Sequence, residues 1–200
     1  SPTRGAYGMD TDARYPDFLA RRLAERRDGP RLSVLNLGIS GNRVLVAGTG
    51  PSLLVRLGPD VLARPDVTDV ILLEGINDLG RGASAPEVVA GLRQAVGLLR
   101  AARRSRELHV LVGTLTPAGG AAEGPAYART EAARRAVNRA IREGGLGDGV
   151  VDFDRAVRDT AHPDRLAPRF DSGDHLHPSA AGYRRMAAAV PLARLGGTGC

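Results

Sequence analysis

Short apolar runs bounded by turn residues alternate along this chain with stretches whose apolar positions recur every three to four residues. The runs read as buried strands, and the periodic stretches as helices with one apolar face. Residues 16–27 predict a helix, because Pro16 suits a first turn and Phe18, Leu19 and Leu23 share a face with arginines opposite. A short strand is expected at 33–37, followed by a loop holding Gly38, Gly41 and Asn42, a helix over about 51–63 and a strand at 68–73. Ser84 stands where a side chain would cap a long helix over about 85–104, and 108–112 reads as a further strand. The loop 113–125, rich in Gly, Ala, Thr and Pro, suits a mobile rim. A helix over about 127–143, a strand at 150–153 and a last helix starting near Ser179 complete the pattern.

Such alternation predicts an α/β chain: a central parallel sheet covered by helices on both faces, in a three-layer α/β/α sandwich. A length of 200 residues suits one globular domain, expected over 1–195 with a Gly-rich tail at 196–200. No internal repeat is present, and no apolar run is long enough to span a membrane. The chain begins Ser-Pro-Thr-Arg-Gly, without an initiator methionine or a charged-then-apolar leader, as expected of a processed product or a fragment.

Composition removes several chemistries. All 28 basic residues are arginine, so there is neither a Walker-type phosphate lysine nor a Schiff-base lysine. Cys200 is the single cysteine, which excludes a disulfide framework or a cysteine-based zinc site within one chain and leaves the redox compartment open. The net charge of +6 invites a nucleic-acid reading. Against it, the arginines fall in scattered pairs such as Arg21/Arg22 and Arg134/Arg135 on predicted amphipathic helices, with few aromatics to stack bases; they read as solvated helix surface.

In a parallel α/β sheet, reactive groups gather in the loops at the carboxyl ends of the strands. Those loops hold Gly38 to Asn42, Gly75 to Asp78, Thr114 to Pro117 and Asp171 to His177. Asp174 and His177 form the most specific pair: three residues apart in a turn, the carboxylate can hold one ring nitrogen and leave the other to act as a base. A helix starting just after Pro178 would keep that imidazole neutral through its positive end. The competing reading makes Asp174 a cap for the helix. His175 is expected to point elsewhere. Asp171, Asp174, His175 and His177 could also ligate a metal, but no other histidine cluster supports one, and neither metal nor cofactor is expected. Two look-alikes are set aside. Gly48-Thr49-Gly50-Pro51 imitates a dinucleotide fingerprint but lacks its third glycine, and Ser40 imitates a nucleophile elbow but is followed by Asn42 where the closing glycine belongs.

The loops resemble those of the SGNH, or GDSL-type, serine hydrolases. Asn36-Leu37-Gly38-Ile39-Ser40-Gly41-Asn42 is similar to the second block of that family, Gly75-Ile76-Asn77-Asp78 to the third, and Asp174-His175-Leu176-His177-Pro178 to the last. The fuller stretches around them, with Gly113-Thr114-Leu115-Thr116-Pro117, look most like a bacterial branch grouped with xylan-degrading esterases. The resemblance implies the flavodoxin-like SGNH fold and a Ser-His-Asp triad. Ser1 aligns with the family nucleophile, although the strand and the Gly-Asp that precede it in the family are missing from the sequence. It further implies His177 as base, Asp174 as its orienting carboxylate, and Gly41 N–H with the Asn77 side chain as oxyanion donors. Were Ser1 a true N-terminus, its own amine could serve as the base. The activity implied is hydrolysis of short-chain acyl esters, acetyl foremost, of small or carbohydrate alcohols. A lysophospholipase or thioesterase of the same mechanism, and an inactive carbohydrate-binding module, are the alternatives. Compartment and oligomeric state stay open, and the resemblance is compatible with a secreted protein.

Overall fold

The computed structural model of this protein describes residues 13–102, 108–121 and 130–196, and among them three parallel strands form a sheet. They are β1 (Asp69–Leu72), β2 (His109–Gly113) and β3 (Gly149–Val151), in that spatial order. The register sets Asp69 opposite His109 and Leu111 opposite Gly149. Val110, Leu111 and Val112 on the middle strand are no more than 1% exposed, as a strand covered on both faces requires.

Helices lie on either face of this sheet. α1 (Tyr15–Glu25) packs on α7 (Ala180–Ala189), which also carries α6 (Phe153–Val157). On the other side α4 (Ala85–Ala101) packs against α2 (Leu53–Leu57) and α5 (Glu131–Arg142). α2 continues into a wider π-helical turn at Gly58–Leu62, and α3 (Ile76–Gly80) follows β1. The result is a three-layer α/β/α sandwich around a parallel sheet. Ser84 caps α4 by accepting the Glu87 N–H while the Glu87 carboxylate accepts the Ser84 N–H, a reciprocal box contributing about 1 kcal/mol.

Three expectations need correction. Residues 33–37 form no strand: Val34 and Leu37 turn toward the core and Leu35 is 58% exposed, but no neighbouring strand pairs with them among the described residues. A short apolar run records burial; a strand also needs a ladder partner. The loop after β2 is no exposed rim where it is described, since Thr114, Leu115, Thr116 and Ala118 are all buried. α3 and α6, each five residues long, were not expected as helices at all. The expected helix over 127–143 is found as Glu131–Arg142, with 122–129 outside the described residues.

Candidate active site

The loop before α2 is held from beneath by side chains that accept and donate across it. Asn42 is fully buried; its Nδ2 donates to the Pro51 carbonyl at 2.8 Å and its Oδ1 accepts from Arg56 Nη1 at 2.8 Å. Arg56 also donates to the Leu37 carbonyl and pairs with Asp60 at 2.7 Å. Gly41 sits at φ +71°, and a Cβ there would lie 2.6 Å from Thr49 Oγ1, so backbone and space both call for glycine.

The loop after β1 reaches the same place. Gly75, at φ +123°, turns the chain from β1 into α3 and places Asn77 and Asp78 inward, 7% and 2% exposed. Asp78 accepts the Val44 and Leu45 N–H groups at 2.9 and 3.0 Å. Asn77 Nδ2 donates to the Asn42 carbonyl at 2.9 Å. The two expected oxyanion donors, Gly41 and Asn77, therefore come from loops fastened to each other.

The third loop carries the histidine. Its neck is closed by an antiparallel bridge between Asp171 and Pro178, by the Ser172 N–H on the His177 carbonyl at 3.1 Å, and by the Ser179 N–H on the Phe170 carbonyl at 2.8 Å. Inside it, Asp174 Oδ2 lies 2.6 Å from His177 Nδ1, while Oδ1 accepts the Leu176 and His177 N–H groups at 3.0 and 2.8 Å. Partial burial alone would raise the Asp174 pKa, but the His177 N–H, the His177 ring and the Leu176 N–H outweigh it and hold the carboxyl at about 2. In the neutral ring this contact assigns the proton to Nδ1 and leaves Nε2 as an acceptor. Ser179, not Asp174, caps α7, its hydroxyl accepting the Gly182 N–H.

Packing joins the third loop to the others. Ile76, Ala118 and Leu176 form one small buried apolar cluster, and Asn77 and His177 are the next residues after two of its members. The structure thus brings Gly41, Asn77, Asp174 and His177 to one end of the sheet. Ser1, the expected nucleophile, lies outside the described residues.

Several contributors had no local signal. His175 makes an Asp–His pair of its own with Asp171, at φ +60° and with its ring 53% exposed. Arg134, 2% exposed, donates to Glu131, Asp154 and the Leu115 carbonyl, while the Asn138 amide clasps both backbone groups of Leu115. That clamp explains why the loop after β2 is buried. Glu74, at the end of β1, has its carboxyl pushed up to about 8 by burial, with Asp78 adding to the shift and Arg56 opposing it. Tyr15 beside it is pushed well above the usual phenol range, first by burial and then by the Glu74 charge.

An Asp–His pair and two fastened donor loops at the carboxyl end of a parallel sheet have the parts of an acyl-transfer site. The profile of the GDSL-like lipase/acylhydrolase family matches residues 1–185, and the chain belongs to that family. It is a carboxylic ester hydrolase of the SGNH/GDSL type. Solved structures agree in fold. The carbohydrate acetylesterase Est24 from Sinorhizobium meliloti is 17% identical, with 89% of this chain and 82% of that one covered at a TM-score of 0.67. The native aryl esterase of M. smegmatis is 17% identical over 89% and 82% of the two chains, at a TM-score of 0.68. A member of the lipolytic G-D-S-L family from Veillonella parvula DSM 2008 is 20% identical over 92% and 88%, at 0.65. No curated protein matches the sequence. Among the described residues, no helix is long and apolar enough to cross a membrane.

Proposed function

We propose that this protein is a serine esterase that removes short acyl groups, acetyl foremost, from small or carbohydrate alcohols, and that it falls in the xylan-esterase-like branch of its family. Ser1 Oγ attacks the ester carbonyl as His177 Nε2 takes its proton. The tetrahedral oxyanion is held by the Gly41 N–H and the Asn77 amide. Collapse expels the alcohol with the proton returned from His177, and a water repeats the sequence to release the acid. Asp174 keeps the ring in the required tautomer and stabilises the imidazolium. The observation that carries this reading is the 2.6 Å contact of Asp174 with His177 Nδ1, inside a loop packed beside Asn77. The acetyl and carbohydrate preference is supported by the motif resemblance and by the printed activity of the Sinorhizobium neighbour.

A fluorophosphonate probe followed by peptide mapping tests the nucleophile, and acetate release from acetylated xylan, set against p-nitrophenyl acetate and octanoate, tests the substrate. Labelling at Ser1 with preferential cleavage of acetyl esters is expected. Labelling at another serine overturns the assignment of Ser1. Preference for the long acyl chain overturns the short-chain reading in favour of a lysophospholipase. A folded sample that neither labels nor turns over is the binding module instead.

A further inference from the structure

Away from the acyl-transfer site, a cavity of about 410 Å³ opens between α5 and α6. Arg134, Arg135, Asn138, Arg139 and Arg142 of α5 line it together with Glu143, which ends that helix, and Asp154, Arg158 and Pro163 line it from the other side. The carboxylates here are already loaded. Asp154 accepts from Arg134 on Oδ1 and from Arg142 and Arg158 on Oδ2. Glu131 accepts from Arg134 on both oxygens and from Arg135 on one. Asp152 is shared by Arg142, Thr114 and the Arg155 N–H.

Donors remain in excess. Arg134 spends its guanidinium inside the protein, but among the described residues Arg135 commits only Nε, Arg158 only Nη1, and Arg142 has Nη1 left over. Among the described residues, Arg139 has neither an ion pair nor a side-chain hydrogen bond. It stands one turn from Arg135 and from Arg142 on the same helix face, where like charges repel. Helix-end electrostatics account for Arg139 and Arg142 in the last turn of α5. They account equally for Arg158, the residue that ends α6, but not for Arg135 in the first half of α5. Glu143 is the remaining acid of the wall and leaves the donor excess standing.

We infer that this groove binds a compact oxyanion of the phosphate class, with Arg135, Arg139, Arg142 and Arg158 supplying the donors. Guanidinium forks arriving from both walls suit a tetrahedral dianion, whose oxygens accept in several directions; a planar monocarboxylate would occupy a single fork. The anion comes either free or as a phosphomonoester.

Calorimetric titration of the whole chain at pH 7.5 and low ionic strength, with inorganic phosphate in one arm and glycerol 3-phosphate in the other, tests this. One saturable site is expected in at least one arm, and the tighter arm identifies the source. Arg139→Gln and Arg158→Gln should each weaken binding about tenfold, the loss of one charge-assisted contact. Arg93→Gln, an exposed arginine on α4, should bind as the parent does, which separates a built site from general positive charge. Arg139→Gln should hydrolyse esters like the parent, showing that it has folded. Absence of saturable binding in both arms, or Arg139→Gln and Arg158→Gln binding like the parent, overturns the inference.

Discussion

Asn77 Nδ2 donates to the carbonyl of Asn42 across 2.9 Å, tying two loops whose residues are 35 positions apart in the chain. The bond orients the Asn77 amide while the Asn42 peptide fixes the residue just after Gly41. Replacing Asn77 by alanine should therefore remove one of the two proposed oxyanion donors and loosen the other. A fall in kcat of about 10²- to 10³-fold on p-nitrophenyl acetate is expected, with a smaller change in KM. Unchanged kcat would take Asn77 out of the oxyanion site.

Asp174→Asn should lower kcat by about 10⁴-fold while the circular dichroism spectrum stays that of the parent, because the amide favours the wrong tautomer of His177. The same carboxyl sets a pH dependence. Its pKa is depressed on folding to about 2, so the stability it contributes is present above pH 4 and is lost as pH falls through about 2. After allowance for solvent screening the contribution is about 1–2 kcal/mol, to be read from urea unfolding of parent and variant at pH 6 and pH 2.5. The gap between the two proteins should narrow at the lower pH.

Glu74 carries the opposite sign. Its folded pKa is raised to about 8, so between the ordinary carboxylate range and pH 8 the folded protein holds a proton that the unfolded chain has released. Stability then declines as pH rises across that window. Glu74→Gln removes the titration and should stabilise the protein by about 1–3 kcal/mol at pH 8.5, with little effect at pH 4.5. Thermal melts of both proteins at the two pH values measure it. An equal shift at both would show that the side chain does not titrate there.

Gly75→Ala should be costly at a distance from any chemistry. The backbone stands at φ +123°, and the added Cβ would come within 2.7 Å of Val88 Cγ1 on α4. A loss of about 1–3 kcal/mol in urea unfolding is expected, with reduced kcat because Asn77 is set by the turn that Gly75 makes.

What could be read from the sequence was local. β1, β2 and β3 lie in apolar runs flanked by turn residues, and α4 announces itself by Ser84 and a clean apolar stripe. Asp174 and His177 could be paired because both lie in one turn. α3 and α6 are too short for a helical period to register, and residues 33–37 carry a strand-like apolar run that gains no ladder partner among the described residues. Arg56 beneath Asn42, and Arg134 and Asn138 on Leu115, bridge 14 to 23 positions. In sequence they are ordinary polar residues of amphipathic helices, and only tertiary packing turns them into supports.

The Asp174–His177 pair sits in a segment whose two ends are stitched together at Asp171 and Pro178. Its internal geometry is set by a handful of neighbouring peptide groups and owes little to the strands below. Such a segment behaves as a cassette: distortion of the underlying sheet changes where the imidazole is aimed, while the imidazole–carboxylate couple travels intact. Drift among descendants of this chain should accordingly show up in where the ring is aimed before it shows up in the contact between ring and carboxylate.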